Sequence, residues 1–253
     1  MNTLGVSLIA FVIIFAGAFA GVLLRRGLPE HHLAEGAKDV VRLGTGLIAT
    51  IAALVLGLLI ASAKSSYDTQ STQVKSLTAN LILLDQELAQ YGPQTREARD
   101  LLRRAIAPLA DRLWRENAAE GGTGAAFEST AAADAAFAKV LELSPQTEAQ
   151  RALKARAIQV ATDAAQTRLA LFVQSGSSIP MPFLVVLVFW LTIIFASFSL
   201  FSRLNPTLIA MLFVFALSAS GAIYLILEMG QPFAGLMQIS SAPLRNALAP
   251  LAP

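Results

Sequence analysis

Residues 43–91 read LGTGLIATIAALVLGLLIASAKSSYDTQSTQVKSLTANLILLDQELAQY, and the change of pattern at Lys64 decides the fold. Leu43 to Ala63 is a run of 21 residues without a charge, long enough as a helix to cross about 30 Å of hydrocarbon. Beyond Lys64 the apolar residues withdraw to a seam. Tyr67, Val74, Leu77, Leu81, Leu84, Leu88 and Tyr91 recur at 7, 3, 4, 3, 4 and 3, the spacing of a helix that is apolar on one face only. No Gly or Pro stands between Gly57 and Tyr91, so one helix is expected to leave the membrane and become the first member of a water-exposed bundle. Tyr91-Gly92-Pro93 ends it with a turn signal.

Three further uncharged runs reach spanning length: Thr3 to Leu24, Met181 to Phe201 and Pro206 to Leu227. The first imitates a signal peptide at Ala18-Phe19-Ala20. Met1 to Gly5 has no Lys or Arg, however, and the pair Arg25-Arg26 follows the run instead of preceding it. A retained helix is expected. Ser178 ahead of Pro180 and Pro182, and Asn205-Pro206, give the third and fourth runs helix-start chemistry. Their connector, Ser202 to Asn205, is short enough to predict a tight antiparallel hairpin.

Charge follows the same division. Lys64 to Ile179 holds 26 of the 36 charged residues, about 22% of its positions, and the rest of the 253-residue chain holds about 7%. Soluble domains average about 25%; the flanks are therefore written for lipid and the middle for water. Cysteine is absent, which excludes disulfides and thiol chemistry. A net charge of +2 with mixed signs leaves no basic stripe for nucleic acid.

Within the middle region a second helix, Thr95 to Asn117, carries Ala98, Leu102, Ile106, Leu109 and Leu113, with a kink expected at Pro108. A small-residue linker, Ala118 to Ala126, precedes an Ala-rich third helix from Phe127 to Leu143. A fourth, Gln146 to Gln174, repeats the seam with Leu153, Ala157, Val160, Ala164, Thr167 and Leu171. The expected fold is all-α, four transmembrane helices with a long helical-bundle insertion between helices two and three. Residues 1–63 form the first membrane pair, 64–179 the bundle, 180–229 the second pair and 230–253 an interfacial C-terminal tail.

Catalytic or cofactor chemistry has no support. Gly44-Thr45-Gly46-Leu47-Ile48-Ala49 satisfies G-x-G-x-x-A, but no strand precedes it and an apolar helix follows. Gly121 to Gly124 lacks a following Lys-Ser or Lys-Thr pair to hold phosphate. Glu30, His31, His32 and Glu35 share one polar loop, with nothing to complete a tetrahedral metal site. Without a G-x-S-x-G elbow or a catalytic constellation, an enzyme is not expected, nor any cofactor or metal.

No ionisable residue lies mid-membrane, which removes proton relays and voltage sensors. Small residues are spaced for helix packing instead: Gly17-x-x-x-Gly21, Ala53-x-x-x-Gly57-x-x-x-Ala61 and Ala216-x-x-x-Ser220. The functional alternative is that the second span lines a pore made by several subunits, with Thr50, Gly57 and Ser62 as lining. At the end of the fourth span Glu228 is followed by Gly230, Pro232, Phe233 and Gly235. This sharp exit is expected to lay Leu236 to Leu248 along the surface, with Phe233 at the headgroups.

Arg25, Arg26, Lys38, Arg42 and Arg203 lie on the side of the short loops. Lys64, Lys75, Arg168 and Arg245 are spread more thinly on the other. The positive-inside rule then makes the middle region extracytoplasmic in a bacterial inner membrane.

The run Ser62-Ala63-Lys64-Ser65-Ser66-Tyr67-Asp68, the stretch Ala79 to Asp85, and Pro232-Phe233-x-Gly235 followed by Ser240-Ser241-Ala242-Pro243-Leu244-Arg245 resemble the bestrophin-like family of bacterial and plant membrane proteins. The resemblance covers most of the chain and is weakest over Ala118 to Leu143. It implies kinship with bestrophins, pentameric anion channels whose second membrane helix lines the pore and whose middle segment is cytoplasmic. Glu228 and Gln231 stand where the family's exit motif carries an Asp and an Arg. The expectation is a homo-oligomeric membrane protein with a small anion as its partner; the alternative is a non-conducting structural or sensory protein whose bundle binds another component.

Overall fold

The computed structural model describes residues 2–27, 29, 35–118, 131–175, 181–202 and 205–248. Its described residues contain helices and no strand. The helices are α1 (Thr3–Gly27), α2 (Glu35–Tyr91), α3 (Arg96–Ala118), α4 (Ala131–Glu142), α5 (Glu148–Ser175), α6 (Met181–Phe201), α7 (Pro206–Met229) and the short α8 (Ala242–Arg245). Four of them, α1, α2, α6 and α7, are long and apolar enough to cross a membrane. As the unbroken residue pattern predicts, α2 runs continuously for 57 residues. It passes straight through Gly44 to Ala49, so the nominal dinucleotide motif forms no loop. Pro108 lies inside α3 without ending it.

The chain divides into two compact units, residues 1–65 with 179–230 and residues 66–178 with 231–253. In the first, α1 is the hub: it packs most extensively on α6 and then on α7. The reason is Gly17 and Gly21. A Cβ at Gly17 would sit 2.7 Å from the Thr192 carbonyl oxygen, and one at Gly21 only 2.1 Å from that of Ala196. Lipid supplies no hydrophobic drive between helices, so close backbone contact is what holds such a pair. On the α7 side Ala216 and Ser220 are buried, and Phe213 meets Phe11 and Phe15 edge-on at centroid distances of 5.4 and 5.8 Å. The sequence predicted a tight hairpin of α6 with α7. The structure places the close pairing with α1 instead, because α1 alone offers two glycines one turn apart.

Local chemistry fixes the helix ends. Asn205 Oδ1 accepts from the Leu208 amide at 2.7 Å with Pro206 at the first helical position. At the C-terminal end of α6 the Arg25 guanidinium donates to the Ser202 carbonyl at 2.6 Å, a cation beside orphan helix-end acceptors.

The second unit is built on the predicted seams. Val74, Leu77, Leu81, Leu84 and Leu88 of α2 share one core with Ala98, Leu102, Ile106 and Leu113 of α3, Ala136 and Val140 of α4, and Ala157, Val160, Ala164 and Leu171 of α5. Gly92, at φ 128, turns the chain from α2 towards α3, and Thr95 ties the turn by donating to Leu88 and Gly92 carbonyls at 2.5 and 2.8 Å. Across the α2–α3 pair Asp85 accepts two parallel hydrogen bonds of 2.8 Å from Arg99. These bonds hold the Arg99 guanidinium above its ordinary range despite partial desolvation.

Candidate functional site

The second span is the least covered of the four. Only 17% of its most apolar window is buried by the chain itself, against 33%, 28% and 28% for α1, α6 and α7. Thr45, Ala52, Leu59 and Ala63, spaced 7, 7 and 4, make its covered edge. About 125° round the helix from them, at 100° per residue, runs an exposed line of Arg42, Gly46, Thr50, Ala53, Gly57, Ala61 and Lys64, spaced 4, 4, 3, 4, 4 and 3. That line is the small-residue face of an otherwise Leu- and Ile-rich helix, with a cation at each end and Asp39 one turn before Arg42. Arg42 and Lys64 are 22 positions apart, about 33 Å of helix, close to the roughly 30 Å hydrocarbon thickness.

Thr50 and Gly57 lie together on this face, about 20° apart at 100° per residue; Ser62 lies about 120° away from Thr50, on a different exposed face. The Thr50 hydroxyl donates to the Gly46 carbonyl at 3.0 Å, so it leaves no donor unspent in an apolar setting. A Cβ on Gly57 would meet nothing within 4 Å. Gly57 therefore differs from Gly17 and Gly21, whose missing side chains admit another helix of the same chain. The 4-and-3 spacing of this face runs on through both Arg42 and Lys64. They stand immediately outside the 21-residue uncharged run, where a window set by that run does not reach.

The exit residues separate between the two units. In the first, Glu228 is 1% exposed and accepts from the Thr3 hydroxyl at 3.1 Å; Tyr224, one turn earlier, also interacts with it. Gly230 then closes α7, its amide donating to Ile226 at 3.1 Å. In the second, Gln231 to Ile239 forms a compact loop: the Ala234 amide donates to Gln231 at 3.1 Å and the Ile239 amide to Pro232 at 2.7 Å. Gly235 occupies φ 81, a left-handed position that a side chain would strain. Phe233 is 3% exposed and meets Trp114 of α3 edge-on at 5.3 Å, while the Trp114 indole donates to the Ile239 carbonyl at 2.8 Å. Arg245 pairs with Asp111 at 2.5 Å.

The sequence reading put Phe233 at the headgroups and the residues after it along a surface. In the structure Phe233, Ile239 and Leu244 belong to the core of the second unit, whereas Leu236 is exposed. Trp114, which captures both Phe233 and the Ile239 carbonyl, is the residue the sequence reading missed. Nothing in local spacing links it to a segment more than a hundred residues away.

No group of three or more His, Asp or Glu among the described residues is arranged to hold a metal. Glu30, His31, His32 and residues 121–124 lie outside the described residues.

The family model of the bestrophin-like domain matches residues 12–244. No curated protein matches. Two crystal structures of a bacterial bestrophin homologue from Klebsiella pneumoniae, each with a point mutation, are similar in fold at 12% identity. One, with an Ile-to-Thr change, has a TM-score of 0.62 and covers 94% of each chain. The other, with a Trp-to-Ala change, has a TM-score of 0.65 and covers 97% of this chain and 95% of that one. With four apolar spans, a helical core and a domain match over nearly its whole length, the chain belongs to the bestrophin-like family.

Proposed function

We propose that the chain assembles as a homo-oligomer around the exposed face of α2 and conducts small anions, with its α2–α5 unit as an extramembrane insertion between two membrane pairs. The observation that carries this reading is the line from Arg42 to Lys64. Small residues keep the face narrow, no side chain offers a carboxylate within the span, and a ring of cations at each mouth concentrates anions by simple Coulomb attraction. The low coverage of α2 supports an oligomer, since a span with so little of its surface satisfied inside one chain has most to gain from a neighbour.

Thr50 and Gly57 face the conduit in this reading. Ser62 faces a neighbouring helix or lipid. The excess of Lys and Arg in the short loops supports an inner-membrane orientation with the bundle outside the cytoplasm.

Reconstitution into liposomes with a chloride-flux readout, beside the mass of the solubilised assembly, tests the proposal. Flux from a defined oligomer supports it. An oligomer without flux moves the protein to the non-conducting class, a structural or sensory protein that acts through its bundle; a monomer ends the reading.

A further inference from the structure

The second unit contains a cleft of about 330 Å³ lined by residues of α2, α3, α4 and α5 and open to solvent on one side. Its origin is legible in residue sizes. Leu77, Leu81, Leu84 and Leu88 of α2 face helices that answer with alanines, among them Ala136 of α4 and Ala164 of α5. Short side chains opposite long ones cannot close the gap at ordinary helix separations. The lining is almost wholly apolar, so water that enters from the open side finds few polar partners there and an apolar group displaces it favourably. An apolar cavity of about 150 Å³ accepts benzene, so a cleft about twice that size has room for an alkyl chain of roughly ten carbons.

Three polar side chains reach the lining: Asp134, Thr162 and Arg168. Thr162 spends its hydroxyl on the Ile158 carbonyl at 2.9 Å, and Asp134 is engaged within the chain. Arg168 makes no ion pair among the described residues. An apolar cleft with an arginine in its lining matches a ligand with an apolar tail and an anionic head.

From this we infer that the bundle binds a single-chain anionic amphiphile, a free fatty-acid carboxylate, with the tail between the α2 leucines and the alanines of α4 and α5 and the head on Arg168. The inference is independent of anion conduction and survives or fails without it.

The test uses the full chain in lipid nanodiscs and a dodecanoic acid bearing a diazirine at its tail, with crosslinked residues located by mass spectrometry. Labelling should concentrate in Leu77 to Leu88 and in α4. Ala164→Phe, which fills the cleft, should cut that labelling about tenfold, and Ala136→Leu is the second filler should the first fail to fold. Arg168→Gln should cut labelling by the acid by a similar factor while leaving labelling by the matched diazirine dodecanol unchanged. Labelling confined to α1, α6 and α7, or unaltered in the folded cleft-filling variant, overturns the proposal. Equal loss of acid and alcohol labelling in Arg168→Gln overturns the assignment of the head to Arg168.

Discussion

Thr3, at the first turn of α1, donates its hydroxyl to the carboxylate of Glu228, at the last turn of α7, across 225 residues of chain. The bond joins the start of the first span to the end of the last. Thr3→Val keeps the shape and removes the donor from a buried carboxylate, which should cost about 1–3 kcal/mol. Thr3→Ser should be nearly neutral. Thermal unfolding followed by circular dichroism in one detergent compares the three; equal stability of the Val variant would show that the bond contributes nothing.

Gly21 and Gly57 should respond oppositely to the same change. Gly21→Ala drives a Cβ towards the Ala196 carbonyl, contact with backbone that cannot swing aside, so α1 must move off α6 at a cost of about 1–3 kcal/mol. Gly57→Ala places its methyl in open space within one chain. It should leave the solubilised monomer no less stable, or stabler by up to about 1 kcal/mol through helix propensity, and should alter the assembled state, read as a shift in oligomer mass or in flux.

Phe233→Ala should destabilise the α2–α5 unit by about 3–5 kcal/mol, the range for truncating a buried aromatic ring. Trp114→Phe keeps the edge-on contact and loses the hydrogen bond to Ile239, for about 0.5–1.5 kcal/mol. Limited proteolysis provides the readout, with cleavage in α3 rising in Phe233→Ala well above that in Trp114→Phe.

A chain without cysteine permits single-cysteine scanning with no background. Thr50→Cys and Gly57→Cys should be modified by a charged methanethiosulfonate with loss of chloride flux, and Ser62→Cys should keep its flux under the same treatment. Inhibition at Ser62 with none at Thr50 would place the conduit on another face of α2.

The same background serves topology. Glu148, whose side chain is 84% exposed, becomes a labelling site as Glu148→Cys. An impermeant thiol reagent should reach it in intact cells on the positive-inside reading. Labelling only after permeabilisation would give the bundle the cytoplasmic side that bestrophins use.

Much of this fold was legible because its signals are periodic and local. The seam of Leu77, Leu81, Leu84 and Leu88, the stop at Tyr91-Gly92-Pro93 and the cap at Asn205 each depend on residues within a few turns of one another, and each appears as the pattern requires. What the sequence concealed depends on residues far apart in the chain. A small-xxx-small motif states that something can approach closely without stating what; Gly17 and Gly21 receive α6, while Gly57 receives nothing among the described residues. Phe233 after a Gly-Pro break reads equally as an anchor or a plug, and only Trp114 and Ile239 make it a plug. On α2 the small-residue pattern continues past both ends of the uncharged run to Arg42 and Lys64, so hydropathy marks the span and not the whole face.

The uncovered surface of α2 beside that line, with Leu43, Leu47, Leu54 and Leu58 exposed, also bears on how stability should be measured. If its satisfaction comes from identical neighbours, folding of this span is a mass-action process whose ligand is the protein itself. Added lipid would then act as a denaturant, because it dilutes the copies without changing any bond within them. The protein-to-lipid ratio, as much as temperature, would decide how much of the population is complete.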